Sequence, residues 1–253
     1  MQAKRPLIFV DLDDTLFQTA RKMVACDERI TATLAVDGSP NGYMSSVQKQ
    51  FIDWLLATAD VVPVTARSVE AYSRVQLPFT QGAICAHGGV ILSPDNVVDE
   101  AWNARMTEEL ANVQGRLDGL CSITLQIGEE LGYSLRGWVV EEIGLKHYIV
   151  TKHNGHDDAI LQVVLDAVRK RDLLHGLYVH GNGNNLAFLP DALRKQRAVQ
   201  EWVSRDMAIH GERPRMGFGD SISDFGFMSE CHWWATPRRG QLAERVAKVI
   251  PYE

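Results

Sequence analysis

The sequence predicts an α/β fold built on a parallel sheet, and three observations carry that expectation. The stretch Leu7–Val10 is a continuous apolar run of β-formers, as expected of a strand buried on both faces of a parallel sheet. It breaks abruptly into the carboxylates Asp11, Asp13 and Asp14. Helix-like and strand-like segments alternate through the first third and the last quarter of the chain, the pattern of parallel strands joined by right-handed crossovers. A buried strand that ends in acids brings charge to the carboxyl edge of a sheet, where open α/β folds bind their ligands. Crowded carboxylates repel one another and lose solvation, which a divalent cation would compensate.

The chain has 253 residues, enough for one large domain or a core with an inserted module. Its 45% hydrophobic and 23% charged residues are those of an ordinary globular protein. A net charge of −6 makes no electrostatic case for nucleic acid or an anionic membrane. Cys26, Cys85, Cys121 and Cys231 are scattered without Cys-x-x-Cys spacing and read as reduced thiols. No signal-like segment follows Met1, and the run from Leu7 is too short to span a bilayer, so the expected location is the cytoplasm.

Taken in order, residues 17–44 are mixed, with a loop at 37–42. Ser45 or Ser46 is expected to cap a helix with Val47, Phe51, Trp54, Leu55 and Thr58 on one apolar face. Residues 60–65 read as a second buried strand, running into Thr65-Ala66-Arg67-Ser68 and then a helix. Residues 83–86 and 90–92 read as strands joined through His87-Gly88-Gly89. The rhythm changes near Ser93-Pro94. A helix at 100–120, strand-like stretches at 122–128, 133–140 and 146–152, a helix at 156–174 and a strand at 176–180 describe an inserted α+β module. After the turn Gly181-Asn182-Gly183-Asn184, residues 186–189 read as the return to the core. A helix at 192–210, a strand at 215–219, the acids Asp220 and Asp224, a further helix, a strand at 232–235 and a helix at 240–250 restore the alternation. The expected division is 1–92 with 186–253 for the core, and 93–185 for the insert.

Asp11 and Asp13, Thr65, and Asp220 with Asp224 all fall just past buried strands, and Lys195 opens a helix. In a parallel sheet those strand ends share one edge. Carboxylates from two strand ends suit magnesium, which prefers few carboxylates, several waters and a substrate phosphate. A nearby hydroxyl and ammonium would supply hydrogen bonds and charge for a phosphoryl group.

This order, Asp-x-Asp-x-Thr, then Thr, then Lys, then Gly-Asp-x-x-x-Asp, resembles the haloacid dehalogenase (HAD) superfamily of phosphatases. The large insert between Thr65 and Lys195 resembles the α/β cap of Cof-type and sucrose-phosphatase-like members. Residues 84–91, Leu189-Pro190 through Val199, and 217–228 are also similar to that group. The resemblance implies a Rossmann-like core with an α+β cap closing over its cleft. It implies Asp11 as nucleophile, Asp13 as general acid and base, and Thr65 and Lys195 as holders of the phosphoryl oxygens. Mg²⁺ would be bound by Asp11, Asp220, the carbonyl of Asp13, and Asp224 directly or through water. Three departures stand out: Ser223 where Asn is usual, Ala66 before Arg67 where Gly is commoner, and a long 18–44 segment that carries an added flap.

Other residues have plainer readings. Asp14 is expected to hold the turn or meet solvent. His147, His153, His156, His175 and His180 lack metal-ligand spacing. Trp233 and Trp234 read as half core, half surface. Arg67 in the core, and Arg136, Lys146 and Lys152 in the cap, are the candidates for meeting an anionic substrate. The resulting expectation is a Mg²⁺-dependent phosphatase of a small phosphorylated metabolite, a sugar phosphate foremost, working as a monomer or weak homo-oligomer. The alternatives are a phosphomutase or phosphotransferase, or a non-catalytic binding protein on the same fold.

Overall fold

In the computed structural model the run Leu7–Val10 is a strand (β1) buried along its whole length. Residues 4–25, 28–155, 157–181 and 183–249 are described; Cys26, His156, Asn182 and Ile250 of the sequence reading lie outside them. After β1 come three short strands, β2 (Gln18–Thr19), β3 (Ile30–Leu34) and β4 (Pro40–Met44), which pair antiparallel in the order β2-β4-β3. The mixed 17–44 segment is therefore a small sheet of its own. Ser45 caps helix α1 (Ser46–Thr58) in a reciprocal bond pair with Gln48. The buried stripe of α1 is Ile52 and Leu55, displaced from the expected face: Val47, Phe51 and Trp54 are exposed. The two aromatic rings reach sideways, Phe51 lying 6.0 Å from Trp54 and 5.6 Å from Phe218. The chain continues through β5 (Asp60–Pro63), a single turn α2 (Val69–Ser73), and the hairpin β6 (Ala83–Cys85) and β7 (Val90–Leu92).

The insert follows as α3 (Glu100–Glu109), α4 (Leu117–Glu130), β8 (Leu135–Glu142), β9 (Leu145–His153), α5 (Asp158–Lys170), β10 (Leu177–Gly181) and β11 (Leu186–Pro190). Its strands form one antiparallel sheet in the order β10-β11-β9-β8. Two expectations are corrected here. Residues 122–128 are helical, because Leu117, Leu120, Cys121, Thr124, Ile127 and Gly128 recur at three and four residues and bury one helix face. Ile123, Thr124 and Ile127 in that stretch imitate a strand composition. Residues 186–189 are no return to the core, since Leu186, Ala187 and Phe188 pair with Thr151, Val150 and Ile149. A strand apolar on both faces looks the same in either sheet.

The last section supplies α6 (Lys195–His210), β12 (Arg215–Phe218), α7 (Phe225–Met228), β13 (Trp233–Ala235) and α8 (Gln241–Val249). The core sheet is parallel throughout, in the order β13-β12-β1-β5, and Val64 beyond β5 bridges in parallel to Ile84 of β6. Trp233 and Trp234 sit on the edge strand and are both exposed. Below the sheet, the buried guanidinium of Arg213 joins Asp206 (Nε–Oδ2 2.8 Å) and Asp60, which Arg5 also meets at 2.9 Å. The chain divides into two compact units, Met1–Asp99 with Arg194–Glu253, and Glu100–Leu193. The division falls a few residues later at each crossing than the sequence indicated. Among the described residues no helix is long and apolar enough to cross a membrane.

Candidate active site

The parallel register decides where the site forms. Val10 lies opposite Pro63 on one side and Phe218 on the other. The next residue, Asp11, donates its backbone N–H to the Phe218 carbonyl at 2.8 Å, and Val64 donates to Val10 at 2.8 Å. Asp11, Thr65 and Asp220 thus leave neighbouring strands at one carboxyl edge. This is the convergence expected of a parallel sheet.

Lys195, the first residue of α6, reaches into that edge and is buried. Its Nζ donates to Asp11 Oδ1 at 2.6 Å and to Asp224 Oδ1 at 2.7 Å. Phe227 lies beneath the ammonium, its ring centroid 5.7 Å away. Asp11 Oδ2 accepts from Thr15 Oγ1 at 3.1 Å. Asp224 Oδ2 accepts from the Ser221 backbone N–H at 3.0 Å and from Ser221 Oγ at 2.6 Å. The Ser223 hydroxyl meets that of Ser221 at 2.8 Å and braces it. Thr15 and Ser221 received no role from the sequence alone. Thr15 closes the Asp-x-Asp-x-Thr motif, and for Ser221 a hydroxyl three residues from an acid is the signal that could have marked it.

The electrostatics are those of a site short of positive charge. Burial pushes Asp11 well above the usual carboxylate range and the Asp224 and Asp220 charges push the same way, while Lys195 opposes them. Burial also raises Asp224, but Lys195 and the Ser221 hydrogen bonds outweigh it and hold the group low. Lys195 is lowered by burial and raised more strongly by its two carboxylates, so it stays an ammonium. Asp220 is pushed up to about 7, first by burial, then by Asp224 and Asp14. Oxygen atoms of Asp11, Asp220 and Asp224 come within 4.8 Å of one another, all on buried residues. Three buried carboxylates with one ammonium between them fit a hard divalent cation, which relieves both the desolvation and the repulsion that raise Asp220.

The other expected residues fall into two sets. Thr65 is fully buried, and its Oγ1 accepts from the Arg67 backbone N–H at 3.1 Å, which leaves the hydroxyl proton free to donate elsewhere. Asp13 is half exposed and holds a two-pronged ion pair with Arg67. Asp14 adopts φ 63°, donates its backbone N–H to Phe17 and pairs with Lys22, the turn role read from the sequence. In the second unit, Lys146 is held by Asp118 of α4. Arg136 and Lys152 stand opposite each other on β8 and β9; Arg136 donates to Asn154 at 2.7 Å, and Lys152 lies 5.7 Å from the Trp138 ring. The three cap cations are therefore not one cluster.

No protein-family model and no curated protein matches the sequence. Solved structures do match. The C-terminal domain of trehalose-6-phosphate phosphatase from C. albicans aligns over 90% of this chain and 74% of its own, at TM-score 0.61 and 12% identity. Sucrose-phosphatase from Synechocystis sp. PCC6803, solved with sucrose and phosphate, aligns over 97% of both chains at TM-score 0.54 and 12% identity. A haloacid dehalogenase-like hydrolase from Bacteroides thetaiotaomicron aligns over 98% of this chain and all of its own, at TM-score 0.53 and 11% identity. The fold is that of the HAD phosphatases. In HAD terms the parallel sheet is the Rossmann-like core and Glu100–Leu193 the inserted α+β unit. Residues 18–44, where an added flap was expected, hold the β2-β4-β3 sheet, tied to the core where Leu34 donates to Arg74 and Gln76 to Ala32.

Proposed function

We propose that the protein is a Mg²⁺-dependent phosphatase of a small phosphorylated metabolite, a sugar phosphate foremost, acting through an aspartyl-phosphate at Asp11. The observation that carries this reading is the buried Lys195 ammonium bridging Asp11 and Asp224, with Asp220 beside them, at the carboxyl edge of a HAD-type sheet. Such charge crowding is costly to fold and has a use where a phosphoryl group and a cation are to be held. The sugar-phosphate class is supported by the sucrose-phosphatase and trehalose-6-phosphate phosphatase structures of like fold.

Asp11, Asp220 and Asp224, with the carbonyl of Asp13, would hold Mg²⁺. When bound, the cation offsets charge on the transferring phosphoryl group. The Asp11 carboxylate attacks phosphorus as the P–O bond to the sugar breaks, and Asp13 gives its proton to the departing oxygen. Asp13 then takes a proton from water, which attacks the aspartyl-phosphate and releases orthophosphate with the Asp11 carboxylate restored. Thr65 and Lys195 hold phosphoryl oxygens throughout. Lys195 also opposes the burial that pushes Asp11 up, and so favours its ionised, nucleophilic form. The cytoplasm is the compartment that goes with this reading, since cysteines scattered without Cys-x-x-Cys spacing fit a reducing environment.

The test is phosphate release from a panel of sugar phosphates, with and without Mg²⁺. Release from at least one, lost on chelation, is the expected result. Transfer to a second sugar without net phosphate would make the protein a phosphotransferase. Mg²⁺ binding without turnover of any ester would leave a binding protein.

A further inference from the structure

We infer that Arg67 serves the reaction by positioning Asp13, and is no ligand of the substrate's phosphoryl group. The inference rests on the reaction proposed above and on the contacts of one side chain. Nε and Nη2 of Arg67 meet both carboxylate oxygens of Asp13, at 2.7 and 2.8 Å. Nη1 donates to the Ala71 carbonyl at 3.2 Å, and the guanidinium lies 5.3 Å from the Phe17 ring centroid. The backbone on either side is tied as well: the Arg67 N–H to Thr65 Oγ1, and the Arg67 carbonyl to the Ala86 N–H at 2.7 Å. Arg67 is thus fixed on four sides, whereas Asp13 has a half-exposed side chain on a loop. A planar fork fixes a carboxylate in direction as well as in place, which a lysine does not do. The cation that faces Asp11, where phosphorus is attacked, is Lys195. Arg67 faces the residue that moves the proton. Aligning that group matters to the rate, because an acid–base carboxylate acts only within hydrogen-bond reach of its proton.

The test compares wild type, Arg67→Met, Arg67→Lys, Asp13→Ala and the Asp13→Ala/Arg67→Met double variant. The substrate is a sugar phosphate that the wild type hydrolyses, whose alcohol needs a proton to depart, and release is followed over long incubations so that residual activity stays measurable. Orthophosphate binding in the presence of Mg²⁺ is titrated alongside. Arg67→Met is expected to lower kcat by about 100-fold, the low end for losing an aligned acid–base group, with KM and orthophosphate affinity within about threefold of wild type. In the Asp13→Ala background the same change is expected to cost nothing further, because a residue that acts through another adds no loss once that other is gone. Arg67→Lys keeps the charge without the fork and is expected to lose nearly as much kcat; it decides the matter if Arg67→Met does not fold. Orthophosphate affinity reduced tenfold or more, or losses that multiply in the double variant, would overturn the inference and leave the phosphatase reading intact. A wild type inert toward every ester would overturn that reading instead.

Discussion

Asp220 stands apart from its neighbours at the residue scale, because Asp11 and Asp224 bond Lys195 directly, while at Asp220 burial and two like charges outweigh the pull of Lys195 and Lys22. Its raised value, about 7, makes it the group that senses a cation. Magnesium needs the ionised carboxylate, so below that value binding must first expel a proton. Mg²⁺ affinity, measured by titration calorimetry, is therefore expected to fall by up to about tenfold per pH unit below about 7 and to level off above it. Asp220→Asn is expected to remove most of the affinity and to weaken that pH dependence, leaving the part due to the raised Asp11. The sign for stability is opposite. The folded value lies above the unfolded one, so between them the folded chain binds the extra proton, and stability without metal falls as pH rises from about 4 to 7. Added Mg²⁺ is accordingly expected to raise the melting temperature more at pH 8 than at pH 6. Equal shifts would place the cation elsewhere.

At the scale of elements, the turn between β6 and β7 does more than reverse the chain. Ala86, His87 and Gly88 have φ of 50°, 56° and 96°, three left-handed residues in a row, two of them not glycine. Such strain costs on the order of 1–3 kcal/mol per residue and persists where the surroundings over-determine it. Here they do: His87 N–H binds the Thr65 carbonyl at 3.1 Å, and Gly88 packs against the backbone that opens α6. A Cβ on Gly88 would stand 2.5 Å from the Arg194 carbonyl oxygen and 3.0 Å from the Lys195 nitrogen, both backbone atoms. Gly88→Ala is expected to cost about 2–3 kcal/mol in urea unfolding, from strain and clash together. It should also depress phosphatase activity by moving Lys195. A neutral Gly88→Ala would mean that the turn does not hold α6. The sequence marked this turn by its glycines and its likeness to Cof-type proteins, but carried no sign of the strain, which arises only when α6 packs on it. The same limit explains the misread face of α1 and the helical 122–128, where periodicities of two and nearly four overlap in short apolar stretches.

For the whole molecule, the acids at the ends of β1 and β12 were legible because a parallel sheet maps strand order onto a shared edge, so local patterns converge by topology alone. The clasp at the opposite edge of the sheet was not. Arg5, Asp60 and the nearby pair Asp206 and Arg213 lie on three distant stretches. Asp206→Ala strips one carboxylate from a buried guanidinium and is expected to destabilise the fold by about 3 kcal/mol, the low end for a broken buried pair because Asp60 remains. A loss under about 0.5 kcal/mol would show the clasp to be incidental. The partner of one cap cation was illegible for a related reason. Lys146 and Lys152 share β9, yet Lys146 is drawn to Asp118 on α4, and only the fold reveals that partner. The central claim remains covalent chemistry at Asp11, and the most direct measurement is an acid-quenched single turnover followed by borohydride reduction and peptide mass mapping. The account predicts reduction of an acyl phosphate at position 11, seen as conversion of Asp11 to homoserine in the wild type and absent from Asp11→Asn. A phosphoryl adduct on another residue, or undiminished turnover by Asp11→Asn, would contradict it.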